Sequence, residues 1–146
     1  MSICERFSNR SGAKVLLVED DEPTLEVLSQ FLGHFYSVIA CSSGERALQA
    51  LYTNDSIDVI VTDLRMPGIN GFDILRCAFE HSQRTGVMIP AIVLTGHGTP
   101  EDEAQARTFG LTHFHRKPID LMKLRETIDV CRKAKDGRSL RHGTGV

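Results

Sequence analysis

Short apolar runs alternate along this chain with longer stretches in which apolar residues return every three or four positions. The runs are Lys14 to Val18, Tyr36 to Ala40, Asp58 to Thr62, Ile89 to Leu94 and Thr112 to His115. Each has the length and β-branched content of a buried strand. The stretches between them carry one-sided apolar faces: Leu25, Leu28, Phe31 and Leu32 after Pro23 and up to Gly33, then Ala47, Leu48 and Leu51 within Ser43 to Tyr52. Gly71 to about His81 presents Phe72, Leu75 and Phe79, and two further helices are expected over Thr99 to Phe109 and Ile119 to about Lys133. In Thr99-Pro100-Glu101-Asp102 the proline suits a first helical position, Thr99 the cap and Asp102 the acid of a capping box.

This alternation predicts an α/β fold, a single doubly wound five-stranded parallel sheet with helices on both faces and right-handed crossovers. A chain of 146 residues supports one such domain. The expected organisation is a polar lead-in over 1–13, the domain over 14–133, and a basic, glycine-containing tail or truncated linker over 134–146.

Composition narrows the partners. The chain is 41% apolar and 25% charged with a formal charge of -2, an ordinary globular balance without broad attraction for nucleic acid or anionic lipid. Cys4, Cys41, Cys77 and Cys131 are scattered without CxxC spacing, and read as reduced packing thiols. No apolar run approaches a membrane span and Met1 to Gly12 is polar, so a cytoplasmic location is expected.

The chemistry gathers where strands end. Glu19-Asp20-Asp21 follows the first strand, Asp63 the third, Thr95 the fourth and Lys117 the fifth. Open α/β sheets bind ligands at the carboxyl ends of their strands. Glu19, Asp20 and Asp63 would face one another across adjacent strands and repel unless a cation sits among them. All-oxygen donors favour Mg²⁺, leave Ca²⁺ open, and make Zn²⁺ a poor match. A nucleophilic carboxylate, a neutralising ammonium and a hydroxyl donor are what phosphoryl transfer to Asp63 requires. The donor must be external, because no GxxxxGK[ST] loop is present.

Four stretches now resemble the receiver domain of two-component response regulators: Val15-Leu16-Leu17-Val18-Glu19-Asp20-Asp21-Glu22, Val61-Thr62-Asp63-Leu64-Arg65-Met66-Pro67-Gly68-Ile69-Asn70-Gly71-Phe72, Val93-Leu94-Thr95-Gly96-His97-Gly98 and Arg116-Lys117-Pro118-Ile119. The resemblance covers Lys14 to about Lys133. It implies a flavodoxin-like sheet of strand order 2-1-3-4-5, and phosphorylation of Asp63 by a sensor histidine kinase or a histidine phosphotransfer protein. It further implies Mg²⁺ held directly by Asp20 and Asp63, with help from Glu19 and the backbone carbonyl of Arg65. Thr95 and Lys117 match the switch hydroxyl and active-site lysine, and Phe114 the switch aromatic. Phosphorylation would then alter the face of the fourth helix, fifth strand and fifth helix, where an effector or output domain binds. Charge balance and the lack of a membrane-length apolar run lead us to expect no direct nucleic-acid contact by this domain and no membrane partner, and a phosphorylation-dependent homodimer is left open.

The resemblance implies a switch that phosphorylates itself and turns over no external substrate. The alternative is a Mg²⁺-dependent phosphohydrolase with an aspartyl-phosphate intermediate. Such enzymes resemble the haloacid dehalogenase type and carry a general acid two residues after the nucleophile, where this chain has Arg65. Arg65 and His97 flank the expected site, either as exposed loop side chains or as groups governing the water that hydrolyses the aspartyl phosphate.

Overall fold

The computed structural model describes residues 12–54 and 56–143. The lead-in up to Ser11, with Cys4, and the final residues of the tail lie outside them. The strands are β1 (Lys14–Val18), β2 (Ser37–Cys41), β3 (Val59–Asp63), β4 (Ala91–Thr95) and β5 (Thr112–Arg116). They alternate with helices α1 (Glu22–Gly33), α2 (Gly44–Thr53), α3 (Gly71–Thr85), α4 (Pro100–Arg107) and α5 (Leu121–Gly143). One parallel sheet has the order β2-β1-β3-β4-β5, as expected.

Successive strand residues point to opposite faces, and two separate cores follow from that. Leu16, Val18, Ile60, Ala91 and Val93 pack with Ala47, Leu51, Ile74, Leu75 and Ala106, which places α2, α3 and α4 on one side. Val15, Leu17, Val59, Val61, Ile92 and Leu94 pack with Leu28, Leu32, Leu124 and Ile128, which places α1 and α5 on the other. With both faces covered, β3 and β4 are buried throughout, matching their continuous apolar sequences.

Helix boundaries follow local chemistry. Asp21 caps α1 by accepting the Thr24 amide and hydroxyl, and Asn70 and Asp73 form a capping box at α3. Thr99 and Asp102 form the capping box expected at α4. Two helices outrun the sequence expectation. α3 continues past His81 to Thr85, because its stop signal is Gly86, which adopts a left-handed φ of 75°. α5 continues past Lys133 to Gly143, so residues 134–143 of the stretch expected as tail are helical in their backbone; Lys133-Ala134-Lys135 offers no breaker. Of the thiols, Cys41 and Cys131 are buried and Cys77 half-buried, all free. Burial lifts the Cys131 thiol to about 11, so it stays protonated and packs as a small apolar group.

Candidate active site at the carboxyl ends of the strands

Because β1 lies between β2 and β3, with Val18 in register with Thr62, the residues following β1 meet the end of β3. Glu19, Asp20 and Asp63 each place a carboxylate oxygen within 4.8 Å of the others. Glu19 is 1% exposed and Asp63 8%, whereas Asp20 is open to solvent. Two acids are therefore desolvated together and the third is reachable from outside.

Lys117 answers that charge. Its Nζ lies 3.1 Å from Asp63 Oδ2 and donates to Glu19 Oε1 and Oε2 at 3.1 and 3.2 Å. Burial, followed by the charge of Asp63, raises the Glu19 carboxyl above its ordinary range despite the lysine. Burial also pulls on the Lys117 ammonium, but its bonds and charge interactions with Asp63 and Glu19 outweigh this, and it is held above its usual value. The amine is thus cationic at neutral pH.

Backbone contacts fix these groups. The Leu64 amide donates to Asp63 Oδ1 at 2.8 Å, setting the rotation of the carboxylate. The Gly71 amide donates to the Leu64 carbonyl at 3.0 Å, closing the loop after β3. A Cβ on Gly71 would stand 2.5 Å from the Asp63 carbonyl oxygen, so this closure demands glycine. The Lys117 amide donates to the Thr95 carbonyl at 2.9 Å, which ties the end of β5 to the end of β4. The Lys117–Pro118 peptide is cis. Thr95 is 7% exposed, and Gly98 leaves room for its side chain: a Cβ there would lie 2.8 Å from Thr95 Oγ1.

Phe114, on β5, is half-buried against the α2–α4 core, with the Arg107 guanidinium 4.7 Å above its ring. His115 Nε2 is 2.8 Å from Thr127 Oγ1 of α5, so the polar neighbour of Phe114 serves the opposite face. Arg65 and His97 are both exposed, but Arg65 is not idle. Its Nη2 donates to both carboxylate oxygens of Asp102 at 2.9 Å, and its guanidinium lies 5.9 Å from the Phe72 ring centre. Sequence reading identified Asp102 only as a cap. A partner 37 residues away leaves no local signal.

Residues 15–129 match the response regulator receiver domain family. The chain belongs to this family, whose members act in two-component signalling. It is 33% identical over 118 residues to the transcriptional regulatory protein GlrR of Escherichia coli, covering 80% of this chain and 26% of that protein. It is 36% identical over 120 residues to the virulence sensor protein BvgS of Bordetella bronchiseptica, covering 80% of this chain and 10% of that one. The chain spans about a quarter of the curated relatives it matches first. A receiver domain from Clostridium thermocellum superposes with a TM-score of 0.75 at 32% identity, covering 85% of this chain and 97% of that one. Among the described residues, no helix is long and apolar enough to cross a membrane.

Proposed function

We propose that Asp63 accepts a phosphoryl group from a phosphohistidine on a sensor kinase or phosphotransfer protein. The observation that carries this is the Asp63 carboxylate, fixed by the Leu64 amide and faced by the Lys117 ammonium. One carboxylate oxygen attacks phosphorus, the P–N bond to the donor imidazole breaks, and an acyl phosphate forms. Lys117 stabilises negative charge on the transferring group, and the Thr95 hydroxyl donates to one of its oxygens. The half-buried lysine, already shared between Asp63 and Glu19, moves only from one acceptor to another.

The acidic cluster suits a hard divalent cation, with three carboxylate oxygens converging and Asp20 open to water. Asp20 and Asp63 would bind Mg²⁺ directly, and Glu19 and the Arg65 carbonyl would complete the protein's share of its shell. Bound there, Mg²⁺ supplies charge neutralisation for the entering phosphoryl oxygens.

Beside the site, a groove of about 460 Å³ runs between α1 and the start of α5, lined by Pro23, Val27, Leu28, Lys117, Pro118 and Ile119. Val27 is 56% exposed there. Its continuity with Lys117 makes it the docking surface for the phosphohistidine-bearing partner, which must bring its imidazole to Asp63. The readout surface, α4–β5–α5, carries Phe114, through which phosphorylation alters binding of an effector or output domain, or of a second copy. The domain spans 14–133, acts in the cytoplasm and turns over no external substrate.

The test is mass spectrometry after exposure to acetyl phosphate and Mg²⁺. The expected result is one hydroxylamine-sensitive phosphoryl group on Asp63 that is absent in Asp63→Asn. Label at the wild-type rate on that variant overturns the reading.

A further inference from the structure

We propose that the Arg65–Asp102 contact is a latch through which occupancy of Asp63 sets the position of α4; this rests on Asp63 being the phosphoacceptor. Helix α4 is weakly anchored. It has eight residues, and only Asp102 and Ala106 among them are buried. Asp102 therefore carries much of its attachment, and does so twice. Its Oδ2 accepts the Thr99 amide within the helix cap, and both its oxygens accept Arg65 Nη2 from the loop after β3. This is the one ion pair of α4 among the described residues.

The other end of the contact is built to let go. The Arg65 side chain is 70% exposed, so its guanidinium exchanges acceptors at little desolvation cost. It lies two residues after Asp63, on the short loop that leaves β3. A phosphoryl group on Asp63 adds charge and three strong acceptor oxygens beside that loop, and planar guanidinium groups favour such acceptors. Transfer of Arg65 from Asp102 to the phosphoryl oxygens removes the tether of α4 and leaves Asp102 without its cation. At the far end of the helix, Arg107 rests on the Phe114 ring at 4.7 Å, so movement of α4 reaches β5 directly. Arg65 is in this scheme a positioning residue, acting on the readout face through Asp102. A pair open to solvent at its Arg65 end carries modest coupling, so the latch biases α4 without locking it.

The experiment compares hydrogen exchange of the α4 amides in wild type, Arg65→Gln, Arg65→Lys and Asp102→Asn, with and without beryllofluoride and Mg²⁺, while Asp63 labelling by acetyl phosphate is followed in parallel. Asp102→Asn keeps a capping oxygen but loses the charge. In the free protein, Arg65→Gln and Asp102→Asn should raise α4 exchange about three- to fivefold, the upper range of a solvent-accessible ion pair, as suits one exposed at only one end, and Arg65→Lys should raise it less. Beryllofluoride should bring wild type to the level of Arg65→Gln and change that variant little. Normal Asp63 labelling with a full wild-type α4 response in Arg65→Gln overturns the latch alone. Absence of labelling in wild type overturns the phosphoacceptor reading, and the latch with it.

Discussion

Lys117 Nζ stands 3.1 Å from Asp63 Oδ2, a residue 54 positions earlier in the chain. The same ammonium holds Glu19, and without it two desolvated carboxylates would face each other. Charge balance and the phosphoryl chemistry proposed above thus fall to one side chain.

The Lys117→Met variant should lose about 2–4 kcal/mol of stability in EDTA, near the lower part of the range for orphaned buried charges because the lysine is 29% exposed. Saturating Mg²⁺ should restore a larger share in the variant than in wild type, since a cation replaces the missing charge. Urea unfolding with and without Mg²⁺ measures both. Equal losses in the two conditions would contradict the arrangement.

Gly98→Ala tests the role proposed for the Thr95 hydroxyl from outside the site. The added methyl would stand 2.8 Å from Thr95 Oγ1 and 3.0 Å from its Cγ2, so the threonine side chain must turn. Beryllofluoride should bind about tenfold more weakly, a loss of ~1.4 kcal/mol, while Mg²⁺ affinity stays the same. Calorimetric titration of each ligand separates the two effects.

Tyr36→Phe is the control at the opposite rim. The Tyr36 hydroxyl donates to Asp129 Oδ1 at 2.8 Å and reaches the Arg125 carbonyl at 3.3 Å, joining the entry of β2 to α5. Burial, reinforced by Asp129, keeps the phenol protonated far above its ordinary range. Removing the hydroxyl should cost about 1–2 kcal/mol in urea unfolding and leave the Asp63 labelling rate unchanged. A slowed rate would mean that this rim communicates with the site.

His115 should make the domain acid-sensitive. Burial, then the neighbouring charge of His113, lowers its proton affinity in the folded state, against the lesser pull of Asp120. The unfolded chain therefore binds the proton more readily. Stability contributed by neutral His115 is full above the unfolded value of 6.5 and falls as pH drops from there toward the lower folded value. His115→Gln should flatten that part of the stability profile, read by unfolding between about pH 7.5 and 5. An unchanged slope would exclude His115 as the source.

The strands and the four strand-end positions were legible because both rest on local pattern. A continuous apolar run marks a strand buried on two faces, and a parallel sheet carries every strand's carboxyl end to one rim. Boundaries were less so. Tyr36 looked like strand, but its side chain serves α5 and the ladder begins at Ser37. The Asp102 cap was readable from Thr99-Pro100-Glu101-Asp102, whereas its bond to Arg65 depends on how two distant loops meet. Glu19 was expected to serve a cation, and its double contact with Lys117 depends on the fold bringing together residues 98 positions apart.

The wholly parallel sheet also has a consequence in time. Parallel neighbours cannot pair through a tight hairpin, and each must wait for a crossover helix. Asp63 and the acidic pair leave the ribosome well before Lys117, the last of the charged groups to arrive. A chain that has not yet added β5 holds the acids without their ammonium, so the balanced charge of the site arrives only with that strand. The charge balance of the rim is thereby the last feature of the sheet to be assembled.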